Sequence, residues 1–311
     1  MSSYDHLYDR ALRAIAGRPL DQVVSRTRAI VGPPLTDLEG DAHDGLEALK
    51  KGERPTARQV AALQAIIRSM RPSSLSHQGA VDPLPPEADP VFPGWTKFVV
   101  SIIPHLYTIG RVDHVSEGVL PPEPYGTGFL ISPDLFLTNH HVLTKLSGET
   151  DVIDSGMAEI RFVREYGVSD EPAVPVLGVH QFHADEDAAI LRLARRKELE
   201  ERQPLVWSDS PPLSSDHLVV VGYPSLDGKR NPLFVETIFG GKLDVKRLAP
   251  GEMIGARSGA VYHDCSTLGG NSGSPVLDMT TGEVVGLHRD GSFLGRNEAV
   301  SVEALRDFIR L

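Results

Sequence analysis

Near the end of the chain a serine stands among glycines, in Gly269-Gly270-Asn271-Ser272-Gly273-Ser274-Pro275, just before the apolar run PVLDM. Glycine permits tight backbone geometry, so the serine hydroxyl can be exposed while neighbouring N–H groups, here those of Gly270 and Ser272, converge on one point as an oxyanion hole. A plain hairpin would use the same glycines, so the turn needs partners before it means chemistry. A serine hydroxyl is a poor nucleophile at its free pKa and needs a base, with a carboxylate behind the base to fix its tautomer. Both stand upstream. His140 and His141 end a predicted strand in LTNHHV, and Asp185 and Asp187 stand immediately before the apolar run AAIL. A serine, an imidazole and a carboxylate so placed would perform acyl transfer without a metal or organic cofactor.

The elements that must position these groups change character along the chain. Residues 8–16 and 20–30 carry apolar side chains at spacings of three and four, and residues 46–50 add a further turn. The strongest helix signal is RPTARQVAALQAIIRSMRP. Thr56 and Gln59 form a capping box, Val60, Leu63, Ile66, Ile67 and Met70 make one apolar stripe, and Pro72 stops the helix. Residues 1–71 are therefore expected to be a small α-helical domain, an adaptor or a pro-domain. Residues 72–94 are rich in Pro, Ser, Asp and Glu and are expected to be an extended, poorly packed linker. From residue 95 to 311 the pattern is short runs of Val, Ile, Leu and Phe bounded by Gly, Pro, Asn and Asp, the first of them KFVVSIIPHLYTIGRV. Many short strands indicate a barrel or sandwich. The chain closes on VEALRDFIRL, a predicted helix with Leu305, Phe308 and Ile309 on one face.

Composition narrows the function classes. The 311 residues, 41% hydrophobic and 23% charged, are those of a soluble globular protein with room for two domains. A formal charge of -11, with no long basic run, repels phosphate backbones, so nucleic acid is not an expected partner. No window reaches the roughly 18 apolar residues of a membrane span and the N-terminus lacks a signal-peptide pattern, so no membrane association is expected and a cytoplasmic location is. The single cysteine, Cys265, cannot form an intramolecular disulfide and reads as a small buried side chain in a strand.

GTGFLIS, LTNHHV, DAAILRL, VVGYP, STLGGNSGSPV and VVGLH, followed by EAVSVEALRDFI, resemble the consecutive signatures of trypsin-like serine peptidases over residues 94–311, most closely those of the bacterial glutamyl endopeptidase branch. The order His, Asp, Ser is that of chymotrypsin. The resemblance implies a mainly β chymotrypsin-like fold, two six-stranded antiparallel β-barrels with a C-terminal helix, here preceded by the small α-helical domain. It implies a serine endopeptidase acting on protein or peptide substrates. Within T-N-x-H-V it selects His141 as base and makes His140 a neighbour. Within D-x-A-I-L it selects Asp187 and leaves Asp185 a solvated loop carboxylate, with Ser272 as nucleophile.

In that branch a threonine five positions before the nucleophile and a histidine in the following G-x-H strand line the pocket for the residue before the cleaved bond. Thr267 and His288 match both, which implies cleavage after Glu or Asp. The chain departs from the branch in continuing with Arg289-Asp290-Gly291 rather than an aromatic and glycines, and in showing no processing site that would free an N-terminal amine near the pocket. Residues 1–71 suit a pro-segment, a stabilising cap or a docking module for a regulatory protein partner, docking being the favoured expectation, as in a regulated intracellular effector. Two alternatives stand beside this. An HtrA-type housekeeping protease shares T-N-x-H-V and G-N-S-G but carries a peptide-binding domain after the catalytic one, and only residues 273–311 follow Ser272. A non-catalytic binding module on a protease scaffold normally loses a triad residue, and all three are present.

Overall fold

In a computed structural model, the structure describes all residues except 1–4, 16, 32–36, 117–121, 169–171, 214–215, 227–231, 292–295 and 310–311. Four helices come first: α1 (Asp5–Ile15), α2 (Leu20–Val31), α3 (Leu38–Lys50) and α4 (Ala57–Ser69). The capping box of α4 is formed as the sequence requires. Thr56 Oγ1 accepts from the Gln59 N–H at 3.3 Å and Gln59 Oε1 accepts from the Thr56 N–H at 2.7 Å. Its stripe is buried through Leu63, Ile66, Ile67 and Met70, each side chain contributing on the order of 1.5–3 kcal/mol by leaving water.

The stretch expected to be a poorly packed linker has structure of its own. Strands β1 (Ser74–His77) and β2 (Ala80–Val81) form a hairpin there, and β1 pairs antiparallel with a strand of the second barrel, Ser74 opposite Leu248. The composition signalled turns, but it did not show that a sheet edge would recruit the segment between them.

The run expected to begin as a strand at residue 97 is instead helix α5 (Trp95–Ile102), followed by a 3-10 stretch (Ile103–Thr108). The reason is periodicity. Trp95, Phe98 and Ile102 are buried at helical spacing while Val100 points to solvent, 68% exposed, so the apolar run belonged to a helix face. Strand β3 (Ile109–His114) starts only afterwards. With β4 (Glu123–Ser132), β5 (Leu135–Thr138), β6 (Ala158–Arg161), β7 (Val174–His183) and β8 (Ala188–Leu193) it closes an antiparallel barrel in the order β3-β4-β5-β8-β7-β6, and α6 (His140–Ser147) follows β5.

The short α7 (Lys197–Glu200) leads to the second barrel, built from β9 (His217–Gly222), β10 (Arg247–Arg257), β11 (Ala260–His263), β12 (Pro275–Asp278), β13 (Val284–Gly291) and β14 (Asn297–Ser301). Its order is β11-β14-β13-β12-β9-β10, closed by β10 pairing with β11, and the β1–β2 hairpin extends outward from β10. Helix α8 (Pro232–Phe239) lies between β9 and β10, and α9 (Val302–Ile309) ends the described chain. The fold is thus the expected chymotrypsin-like pair of six-stranded barrels.

Strand β9 shows how the layers are joined. Leu218 and Val220 face the interior of the second barrel, while Val219 and Val221, alternating with them, join a larger core that also holds Leu63, Ile66 and Phe92. The helices therefore share one apolar core with the outer face of this barrel. Among the described residues no helix is long and apolar enough to cross a membrane.

Candidate active site

Strand β5 ends at Thr138, and Asn139 leads into α6, whose first two residues are His140 and His141. The turn before β8 delivers Asp187, in the left-handed region at φ 48°, a conformation that Asp tolerates better than most residues. Several contacts hold it there. Its N–H donates to Ala184 O at 3.1 Å, its carbonyl accepts from Asn139 Nδ2 at 3.0 Å, and its carboxylate takes the His141 backbone N–H at 2.9 Å. His141 Nδ1 lies 2.9 Å from Asp187 Oδ2 and 3.1 Å from Oδ1. With Nδ1–H donated to the carboxylate, Nε2 is left as the basic nitrogen, on a side chain 47% exposed.

The other candidates in this region fall elsewhere. His140 turns away from Asp187, stacks on Phe182 with ring centroids 4.8 Å apart, and reaches Asp151 Oδ1 through Nε2 at 2.9 Å. Asp185 is exposed in the loop.

Ser272 follows a one-turn 3-10 segment (Gly269–Asn271) and is half-buried. Thr127, in the GTG of β4, ties this turn to the first barrel. Its N–H donates to Ser272 O at 2.8 Å, its hydroxyl donates to Gly270 O at 2.7 Å and accepts from the Tyr223 N–H at 3.1 Å, and its carbonyl accepts from Thr138 Oγ1 at 2.7 Å. Gly273 is required twice over. Its φ is 86°, and a Cβ there would lie 2.0 Å from Thr127 O. Gly126 sits between the two halves: a Cβ on it would come within 2.9 Å of Val142, next to His141, and 3.1 Å of Ser272 O. On the far side Gly273 N donates to His288 O at 2.8 Å and His288 N donates to Ser274 O at 2.9 Å.

Of the two expected oxyanion donors, the Ser272 N–H is turned inward to Gly269 O at a long 3.4 Å. Gly270 backs against Tyr223 and Ser225, with no room for a side chain.

Thr267 and His288 are both buried, at 6% and 3% exposure, on the elements flanking Ser272. Thr267 Oγ1 faces Gly291 of β13, where a Cβ would stand 3.3 Å from it. His288 Nδ1 lies 3.2 Å from Nε2 of His263, a residue the sequence reading passed over, at the end of β11. Burial, helped by the nearby Arg68 charge, lowers the His263 pKa to about 3, so its ring is neutral at neutral pH.

Next to His263 lies a second group that sequence reasoning missed. Asp264, one residue on from His263, accepts from Arg71 Nε at 2.9 Å and Arg10 Nη2 at 2.6 Å. Glu252 pairs with Arg13 at 2.7 Å and Arg71 at 3.1 Å. Arg68 Nη1 donates to the carbonyls of Asp264 and Cys265, at 2.7 and 3.0 Å. Burial opposes ionisation of Asp264, but Arg71 and Arg10 outweigh it and hold the carboxyl well below its usual range. All four arginines come from α1, α4 or the residues just after α4, so this network fastens the helices onto β10 and β11. Cys265 is buried as expected, just after the strand, its thiol pKa raised by desolvation.

The chain is similar, at 29% identity, to a Lysobacter enzymogenes protein named "Probable serine protease", in an alignment covering 96% of this chain and 89% of that one. Among solved structures it is similar to Deg5 (19% identity, 68% of this chain and 92% of that one, TM-score 0.48) and to the active form of the Rv3671c protease of M. tuberculosis (19%, 70% and 85%, 0.45). Residues 126–287, about half of the chain, match the model of the trypsin-like peptidase domain, and the chain belongs to that family of serine peptidases.

Proposed function

We propose that the protein is a serine endopeptidase in which Ser272, His141 and Asp187 act as one catalytic unit. The observation that carries this reading is the clamped His141–Asp187 pair, set one glycine away from the Ser272 turn. His141 Nε2 takes the Ser272 proton as the hydroxyl oxygen bonds to the peptide carbonyl carbon. The imidazolium then gives that proton to the leaving amine as the C–N bond breaks, and water, deprotonated by the same nitrogen, releases the acyl group. Asp187 stabilises the imidazolium and fixes its tautomer. For Gly270 and Ser272 to serve as oxyanion donors the Ser272 N–H must leave Gly269 O, a rearrangement that the 3.4 Å length of that bond and two glycines make inexpensive.

Cleavage after an acidic residue is the specificity we favour. A hydroxyl from Thr267 and a ring nitrogen from His288 suit a carboxylate, and neutral His263 can accept the Nδ1 proton of His288, leaving its Nε2–H to be donated. Four arginines against two carboxylates next to His263 add a positive background. For residues 1–71 the ion pairs to Glu252 and Asp264 favour a stabilising role over docking alone. The test is a diverse peptide library digested with wild-type protein and with Ser272→Ala, cut sites being read by mass spectrometry. Cuts after Glu or Asp that vanish in Ser272→Ala are expected. Cuts after other residues would remove the Thr267/His288 pocket from the account, and cuts that persist in Ser272→Ala would remove the nucleophile.

A further inference from the structure

Away from the Ser272 turn, a cavity of about 270 Å3 opens where α2, the residues around the β1–β2 hairpin and the end of α8 meet β10. Its wall includes Arg26 from α2, Ser73 and Ser74 at the entry to β1, Asp82 after β2, and Arg247 at the start of β10. Pro72, Pro83, Pro85 and Phe239 supply an apolar side.

The polar groups on this wall are unusual in what they lack. Ser73 and Ser74 are 7% and 5% exposed, yet among the described residues neither hydroxyl has a hydrogen-bond partner, and neither does Nε of Arg26. Buried polar atoms are almost always paired, so three orphans around one cavity point to a ligand that pairs them. Arg247 is buried, donates to the carbonyl oxygens of Ser73, Phe239 and Lys242, the last at 3.0 Å, and lies 5.5 Å from the centre of the Phe239 ring. Among the described residues no carboxylate pairs with it, and desolvation lowers its pKa to about 10. The acidic groups nearby are already engaged: Asp82 Oδ1 lies 2.6 Å from His77 Nε2, and Glu87 takes Arg26 Nη1 at 2.9 Å. Lys242 also lines the cavity, but its ammonium sits 4.1 Å from the centre of the Tyr166 ring.

We propose that this cavity binds a compact phosphate-bearing small molecule, its oxygens held by Arg26, Arg247, Ser73 and Ser74 and its organic part against the prolines and Phe239. Donors arriving from α2, β1 and β10 suit the divergent oxygens of a phosphate better than the planar pair of a carboxylate. The volume, near the lower end of small-molecule sites, limits the ligand to a single small group beyond the phosphate. The site joins the helices to the second barrel, so occupancy strengthens that seam.

The test uses the full chain at low ionic strength, with calorimetric titration and thermal melting against phenyl phosphate, inorganic phosphate and benzoate. Saturable phosphate binding with a rise in Tm is expected, weakened tenfold or more in Arg26→Gln and in Ser73→Ala/Ser74→Ala, and unchanged in Arg58→Gln on the outer face of α4. Tighter binding of phenyl phosphate than of inorganic phosphate identifies a monoester seated against the prolines and Phe239; equal or weaker binding removes the organic part from the proposal and identifies free phosphate. The conservative serine variants keep the test valid if Arg26→Gln unfolds. No saturable binding of either phosphate, binding indifferent to these substitutions, or preference for benzoate would overturn the proposal.

Discussion

The His141–Asp187 pair and the network around Asp264 are both made of charged or titratable side chains in direct contact, but they differ in access to water. His141 is 47% exposed and Asp187 20%, whereas Glu252, Asp264 and Arg71 are at 0%. An exposed pair contributes little to stability, because water competes for both partners and solvent screens their attraction. A buried network stabilises little relative to an apolar replacement, yet breaking it strands an uncompensated charge and costs a great deal. The first arrangement leaves one imidazole nitrogen outside the ion pair; the second commits both carboxylates to arginines and ties α1 and the end of α4 to β10 and the end of β11. Substitutions in the two regions should therefore separate activity from stability.

The largest effect is expected from Asp187→Asn. Asn tolerates the left-handed backbone at this position, so the fold should persist while the imidazole loses its carboxylate and its fixed tautomer. Peptide hydrolysis should fall by about 10⁴-fold, with urea denaturation changed little. Loss of stability in parallel with loss of activity would show that the exposed pair also holds the fold.

In the buried network the corresponding substitution is Arg71→Ala. It removes the partner shared by Glu252 and Asp264, and should cost about 3–5 kcal/mol by urea denaturation. Arg71→Met, filling the space without the charge, should be nearly as damaging, because the two carboxylates remain buried. A small change in the urea midpoint for both would mean that the remaining arginines suffice.

A third measurement uses pH. The His263 pKa is about 3 in the folded chain against an ordinary 6.5, so the unfolded chain binds the additional proton between these values. Stability from this group is present above pH 6.5 and is lost as pH falls, by roughly 1–2 kcal/mol between pH 6.5 and pH 5. Asp264, whose carboxyl is held below its ordinary range, adds to the loss only as pH falls through the usual carboxylate range. His263→Gln should flatten the urea midpoint between pH 5 and pH 6.5; an unchanged slope would place the acid sensitivity in another group.

How much of this was legible in the sequence follows from how local each signal is. GTGF, LTNHHV, DEDAAIL and GGNSGSP each lie within one strand and its turn, so the strands, the two histidines and the Ser272 turn could be read directly. Helix α5 resembles a strand in sequence because its short apolar stretch, Phe98, Val99 and Val100, fits either period until burial shows which residues face inward. The arginine network was beyond reach: Arg10 meets Asp264 across 254 positions, and neither residue stands in a pattern. The same is true of His263 behind His288, 25 positions apart on neighbouring elements. The cavity around Arg247 gathers residues from four separate segments, so no local motif announces it.

The smallest effect is expected at His140, and it tests the comparison most closely. His140 and His141 are consecutive, and each lies 2.9 Å from an aspartate oxygen. Consecutive residues at a helix start point in different directions, and here one meets Asp187 while the other lies against Phe182 and Asp151. The His140 side chain is 17% exposed, so its loss removes one hydrogen bond and a ring contact, about 1–2 kcal/mol together. His140→Ala should therefore lower the urea midpoint slightly and leave peptide hydrolysis within about tenfold of wild type, while His141→Ala abolishes hydrolysis and leaves the midpoint in place. The reverse pattern would exchange the roles of the two histidines, and equal loss of activity from both would mean that the Asp151 pair helps to hold α6 at the angle His141 needs.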